Sequence, residues 1–497
     1  MREIIQPGAI VDGYLVGECI HEGGTGAIFR AVAPRHKEPG FPIVLKAPFL
    51  GRGEPSVGID SFEMEQTILP TLEGPHVPRF VAAGDVTTTP YLVMEWVEGA
   101  PLSTVVARAP LPPEEVARIG AALADAVHSV HLQEVVHLDI KPENFILRPG
   151  GGAVLLDFGF ARHARYPDLL AEERQYAAGS AAYVSPEQLQ DDRSDPRSDL
   201  FALGVVLYEL ATGTQPFGQP RTLTGMRDRL WRVPVPPRAV NPAVPPWLQE
   251  IILGCLEREV AKRYQSAAHV ALDLRHPEQV ELTAHAERTA AASFFGHLGR
   301  WWRLKRGADP RNRREGDSVP GPAVILVAVD TEHPDDERHT PLQWTTAQIA
   351  SLNPAFRLMC VSVIKSAPVG QGATELETTT GKHIEHKTRL RYWVEPLKLP
   401  ASRVSLHVVE AVNAADTLLE LARANHVDLI VLGAPVPSQR KLGWWRSAAS
   451  TVTANAPCSV HVVRVPERRG QLRQAAYGVA GSPEPGGMPP GGGKDSE

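Results

Sequence analysis

One loop narrows the choice of fold more than any other stretch of the chain: His137-Leu138-Asp139-Ile140-Lys141-Pro142-Glu143-Asn144. A helical run, Ile119 to Leu132, precedes it, and a short apolar strand, Phe145-Ile146-Leu147, follows. A second apolar strand, Ala153-Val154-Leu155-Leu156, is closed by Asp157-Phe158-Gly159. Two strand-end loops therefore carry Asp139, Lys141, Asn144 and Asp157 towards one point. A carboxylate there can accept the proton of an attacking hydroxyl, and a lysine can neutralise a moving phosphoryl group. The Asn144–Asp157 pair offers hard oxygen ligands for magnesium. The set suits phosphoryl transfer; the plainer alternative is an aspartate and an asparagine that cap turns.

At 497 residues the chain is too long for one ordinary core, so two or three domains are expected. A hydrophobic content of 43 % with 22 % charged residues is that of a globular protein, and a net charge of -6 gives no reason to expect nucleic acid as a general partner. Cys19, Cys255, Cys360 and Cys458 are scattered, with no Cys-x-x-Cys pair and no histidines at metal spacing. Neither a disulfide framework nor a zinc site is expected, and a reducing cytoplasm fits. Asp12 and Glu18 break the apolar stretch near the start, so no signal peptide is read there. The most apolar helix, Leu200 to Leu210, is too short for a membrane span and contains Glu209.

The N-terminal region reads as strands. Tyr14 to Ile20 leads into His21-Glu22-Gly23-Gly24-Thr25-Gly26-Ala27-Ile28-Phe29, a hairpin with a glycine-rich tip. Such glycines let backbone N–H groups approach phosphate oxygens, although a plain hairpin turn has the same composition. Pro42 to Lys46 is a strand that ends in a lysine among apolar residues. A buried lysine needs a carboxylate partner or loses its charge. Glu65, in the helical stretch Ile59 to Leu69, is the leading candidate, with Glu63 the alternative if the register shifts by two. Pro90 to Gly99 is a strand running into a polar turn, and from there on helix dominates: Pro113 to Leu132, Asp199 to Thr212, Pro246 to Leu256.

His-x-Asp-x-Lys-Pro-x-x-Asn followed by Asp-Phe-Gly resembles the catalytic core of bacterial, eukaryotic-like serine/threonine protein kinases. The resemblance implies an α+β bilobal fold, a strand-rich lobe followed by a helical lobe, with ATP and Mg2+ between them. It implies that Asp139 is the base and Lys141 the phosphoryl stabiliser, and that Asn144 and Asp157 are the metal ligands. Gly23, Gly24 and Gly26 would cover the nucleotide, Lys46 would hold its phosphates and Glu65 would hold Lys46. Met94 would be the gatekeeper, with backbone groups of Glu95 and Val97 facing adenine. Gly179 to Glu187 looks like the substrate-docking segment, with Ser180 favouring serine or threonine substrates and Ser185 in place of the usual alanine. Asp199 would brace the catalytic loop, and Arg263 would pair with Glu187.

Three departures matter. His21 replaces the first glycine of the phosphate loop. Leu138 stands where most kinases carry the arginine that grips a phosphorylated activation loop, and Phe160 to Gly179 contains no serine or threonine. Activity independent of phosphorylation in that loop is therefore expected. The same departures motivate a rival reading, a pseudokinase that senses nucleotide and acts as a scaffold.

Past about Ala290 the pattern changes. Ser293 to Arg306 mixes aromatic and basic residues, suited either to an anionic membrane surface or to packing between domains. Strands then alternate with helices: Ala323 to Val329, Leu342 to Ser351, Leu358 to Ile364, Val404 to Val409, Ala414 to Ala424, Asp428 to Leu432, Trp445 to Asn455 and Ser459 to Val465. That order points to an α/β doubly wound parallel sheet. Asp330, Asp428 to Gly433 and Ala456 to Val460 resemble the universal stress protein family. Nucleotide-binding members carry Gly-x-x-Gly, nine residues, then Gly-Ser; here Asp330, Gly433 and Ser447 fit a nucleotide site, but Val436 and Arg446 replace two glycines. A regulatory or dimerising role is favoured, since the last strand of this family often pairs between subunits. The expected boundaries are 10–275 for the kinase domain, 281–321 for the linker, 322–467 for the second domain and 468–497 for a glycine- and proline-rich tail expected to be disordered.

Overall fold

The computed structural model describes residues 5–23, 26–34, 38–49, 55–85, 89–172, 180–220, 222–289, 324–333, 339–352, 356–365, 375–434 and 443–464. Of the linker expected over 281–321, residues 290–321 lie outside the described residues, as does the C-terminal tail, whereas 281–289 are described and include a helical turn at Ala284–Glu287.

Alternating strands at the N-terminus build one antiparallel sheet. Its members are β1 (Ile10–Val11), β2 (Tyr14–Glu22), β3 (Gly26–Val32), β4 (Ile43–Pro48), β5 (Phe80–Ala83) and β6 (Leu92–Glu95), in the order β1-β2-β3-β4-β6-β5. At the β3–β4 pairing a Cβ on Gly26 would lie 2.4 Å from the Ala47 carbonyl oxygen, so this close approach needs glycine. Helix α1 (Pro55–Ile68) packs on the sheet, opening with a proline in its first turn, where a missing N–H costs no hydrogen bond.

The helical lobe is organised by α2 (Pro113–His131) and α4 (Arg197–Thr212), with the short α3 (Leu169–Glu172) between them in sequence. Helices α5 (Pro246–Cys255) and α6 (Ala267–Arg275) complete its core. Helix α4 is buried on nearly every face and stops at Gly213, whose φ of 71° suits the left-handed cap that glycine adopts without strain. Strands β7 (Phe145–Leu147) and β8 (Ala153–Leu155) pair antiparallel and carry the two loops read as catalytic.

The second domain is a five-stranded, wholly parallel sheet. Its strands are β9 (Val324–Ala328), β10 (Arg357–Lys365), β11 (Val404–Ala411), β12 (Leu429–Gly433) and β13 (Ser459–Val463), ordered β11-β10-β9-β12-β13. Two separate apolar clusters, one on each face, show that both sides of the sheet are covered. Helices α7 (His339–Leu352), α9 (Ala414–Ala424) and α10 (Gly443–Asn455) lie close to the segments read as helical.

One element departs from that reading. Between β10 and β11, where the sequence reading has no helix, stands α8 (Glu375–Val394). Leu390 and Trp393 are buried against the sheet and Ile384 against Ile59 of α1, but His383, His386 and Lys387 are buried among them. Polar residues on the buried face erase the apolar stripe that marks a helix.

Candidate active site

The catalytic loop is shaped by a buried carboxylate. Asp199, at the start of α4, accepts the backbone N–H groups of His137 at 2.8 Å and Leu138 at 2.7 Å, and His131 Nε2 lies 2.8 Å from it. Those bonds hold Leu138 at a φ of 64°, a left-handed conformation that a leucine does not adopt unaided. Gln188 Nε2 donates to the Leu138 carbonyl at 2.9 Å and closes the loop from the other side.

Asp139 is then fixed by three neighbours. Lys141 Nζ donates to Oδ2 at 2.6 Å, Asn144 Nδ2 to the same oxygen at 3.2 Å, and the Ser180 N–H to Oδ1 at 2.8 Å. Asn144 Nδ2 also donates to the Asp139 carbonyl at 2.9 Å, so its own amide oxygen is turned away from Asp139. Asp157, at a φ of 61°, faces the same space, with Phe158 fully buried and packed edge-on against His137 at 5.2 Å between ring centroids.

Lys46 bridges the two lobes. Its Nζ lies 2.6 Å from Glu65 Oε2 and 3.0 Å from Asp157 Oδ1. Burial works against the lysine's charge, but Asp157 and Glu65 outweigh it and hold its pKa above the ordinary value. Burial also pushes Glu65 up to about 7, with Lys46 opposing. For Asp157 burial acts upward too, yet Lys46 prevails and its pKa falls to about 2. Glu63, the alternative partner for Lys46, points elsewhere, to Lys387 at 2.6 Å.

Of the remaining residues singled out from the sequence, Gly23 and Gly26 are bonded across the hairpin, Gly23 N–H to Gly26 carbonyl at 2.9 Å; Gly24 lies outside the described residues. Met94, Glu95 and Val97 are buried where β6 leaves the sheet, and Glu95 also carries side-chain bonds to Arg79 at 3.0 Å and Arg148 at 3.2 Å. Arg263 donates to Glu187 at 2.5 Å and 3.0 Å. Sequence reading missed Arg229, which is 1 % exposed and donates to the carbonyls of Ala181, at 2.8 Å, and Val184. It carries no motif, and burial pulls its pKa down to about 10.

A family model, protein kinase domain, matches residues 14–274. The chain belongs to the protein kinase family. Within this kinase a second model, universal stress protein family, matches residues 323–464. The kinase is 30 % identical over 262 residues to a probable serine/threonine-protein kinase of Clostridium perfringens, covering 52 % of this chain and 38 % of that one. It is 31 % identical to serine/threonine-protein kinase PknL of Mycobacterium bovis over 55 % of this chain and 67 % of the relative. Against PknB of Mycobacterium tuberculosis the figures are 30 %, 58 % and 47 %. The chain thus spans well under half of the clostridial relative and about two thirds of PknL. These relatives place the kinase among the bacterial serine/threonine protein kinases.

Membership implies ATP and a divalent cation, and the donor set fits both. One charged amine stands between two carboxylates, and the oxygens of Asn144 and Asp157 are hard ligands of the kind such cations take. In the second domain, Asp330 and Gly433 line one cavity together with His339 and apolar neighbours. The Ser447 side chain lies outside the described residues. No helix among the described residues is long and apolar enough to cross a membrane.

Proposed function

We propose that the kinase transfers the γ-phosphoryl group of ATP to serine or threonine hydroxyls of protein substrates. The observation that carries this is the meeting of Lys46, Glu65 and Asp157 beside the bonded cluster Asp139, Lys141 and Asn144. In the reaction the substrate oxygen bonds to the γ-phosphorus as the bond to the β-phosphate oxygen breaks, and ADP leaves. Asp139 accepts the hydroxyl proton, and Lys141 neutralises the moving phosphoryl group. Lys46, held by Glu65, orients the α- and β-phosphates. Gly23, Gly24 and Gly26 cover them, and backbone groups of Glu95 and Val97 receive adenine. Asn144 and Asp157 hold Mg2+, which would supply charge neutralisation. Ser180 sits against Asp139 and marks the substrate's approach. The rate comes from positioning and charge stabilisation.

The scaffold reading has nothing to favour it over the enzyme. Transfer of radiolabelled γ-phosphate to a generic basic protein, with Asp139→Ala as control, tests the proposal. Equal incorporation by both proteins would assign the label to a contaminant.

Two secondary readings follow, one for the second domain and one for the whole chain. Strand β13 lies at the edge of the sheet with Ser459 and His461 exposed, and supports pairing of two copies. Sedimentation at several concentrations decides this. A cytoplasmic setting is supported by four free cysteines, two of them buried.

A further inference from the structure

Helix α1 is gripped from outside the kinase lobes. Its Asp60, fully buried, meets Lys387 Nζ of helix α8 at 2.5 Å, and the same nitrogen lies 2.6 Å from Glu63. Ile384 of α8 packs against Ile59 of α1, both nearly inaccessible. At the rim Arg391 reaches Asp85 at 3.0 Å and Glu63 at 3.7 Å. A second grip falls on the activation segment. Glu172, 5 % exposed at the end of α3, is bonded by His407 Nε2 of β11 at 2.6 Å and by the guanidinium of Arg357 on β10. Asn425 Nδ2 also donates to the Glu172 carbonyl, at 3.3 Å.

We propose that the second domain is an intramolecular clamp that holds helix α1 and the activation segment in the arrangement that pairs Lys46 with Glu65. The inference deepens the kinase reading and rests on it. Both grip points lie on elements whose placement sets the catalytic pair. Glu65 stands five residues beyond Asp60 on the same helix, and α3 packs against α1. The direction of the effect follows from the gripped geometry, in which Lys46 and Glu65 are 2.6 Å apart. The clamp therefore favours the competent arrangement.

Its chemistry also accounts for a departure in the sequence. Leu138 has no charge with which to grip a loop phosphate, and the stretch from Phe160 to Gly179 has no serine or threonine to carry one. Glu172 supplies a permanent negative charge there, and Arg357 and His407 of the second domain supply the grip. Charges buried in such contacts cannot slide as an apolar surface can, since each must keep its partner. Helix α8 is itself braced. His386 Nδ1 lies 2.7 Å from Thr331 Oγ1, which lies 2.6 Å from Ser362 Oγ, and Arg389 donates to the Thr331 carbonyl at 2.7 Å.

The test uses the full chain and the variants Lys387→Met, Lys387→Arg and Glu172→Gln. Hydrogen exchange over Pro55–Ile68 reports on the clamp without any need for activity, and steady-state phosphate transfer reports on its consequence. Lys387→Met is expected to speed exchange in α1 and lower kcat about tenfold or more, a loss of positioning. Lys387→Arg is expected to recover most of both. Glu172→Gln is expected to speed exchange over 162–172 and lower kcat severalfold; it also serves as the test if Lys387→Met does not fold. Unchanged exchange in α1 with unchanged turnover, or a rise in turnover, would overturn the clamp. Absence of transfer by the unaltered chain would instead defeat the kinase reading, and the exchange data would still decide the clamp.

Discussion

Two buried lysines meet carboxylates of the same helix, and the contrast between them is instructive. Lys46 comes from the neighbouring strand and takes Glu65; Lys387 comes from another domain and takes Asp60 and Glu63. The first pair faces the cleft, where Asp157 Oδ1 also lies 3.0 Å from the lysine. The second pair is sealed, with Lys387 1 % exposed and the apolar Ile59–Ile384 contact beside it. A buried ion pair contributes little net stability compared with an apolar contact, but breaking it is costly and it admits one register. One pair can thus do chemistry while the other sets position.

That contrast can be broken in several places. The largest loss is expected at the cleft: Asp139→Asn should lower kcat by about 10²–10⁴ with the melting temperature little changed, as steady-state kinetics and calorimetry would show. An unaltered kcat would remove Asp139 from the chemistry. A wholly structural pair behaves oppositely. Arg263→Ala leaves Glu187 buried without its guanidinium partner and should cost about 3–5 kcal/mol of stability, measured by denaturant unfolding.

The Glu65 pair should respond to pH in a way that sharpens its role. Its folded pKa is raised to about 7, so its contribution to stability is fully present below its ordinary value and is lost as pH rises through 7. The charge that grips Lys46 is gained over that same rise. The acid limb of kcat/KM is therefore expected near pH 7, and Glu65→Gln should remove that inflection while lowering kcat/KM by about 10². The smallest effect belongs to the rim. Arg391 is 39 % exposed, so Arg391→Ala should change stability by less than about 1 kcal/mol in thermal unfolding. A larger effect would place the weight of the clamp at its edge rather than at Lys387.

Much of the cleft was legible from the chain because its residues sit on loops whose spacing is local. Asp139, Lys141 and Asn144 lie within one short loop, and the strand before Asp157 is marked by its apolar run. Glu65 was legible too, since a buried lysine demands a nearby carboxylate and the helix offered two. Arg229 was not, because an arginine that bonds three main-chain carbonyls needs no characteristic neighbours. Helix α8 was hidden for a related reason: the face it buries is charged, and the periodicity that reveals helices registers only apolar burial.

Sequence alone pointed to two domains, to the doubly wound sheet through apolar periodicity, to the bilobal fold through its resemblance to protein kinases, and to a candidate set of site residues, because periodicity and loop-bound motifs act over a few residues. Tertiary structure alone decided that Asp60 and Glu63 of α1 serve Lys387, and that Glu172 is held by Arg357 and His407. Those partners stand up to 327 residues apart, and a pairing at that distance leaves no pattern in the chain. It exists only once the two cores have formed and brought their surfaces together.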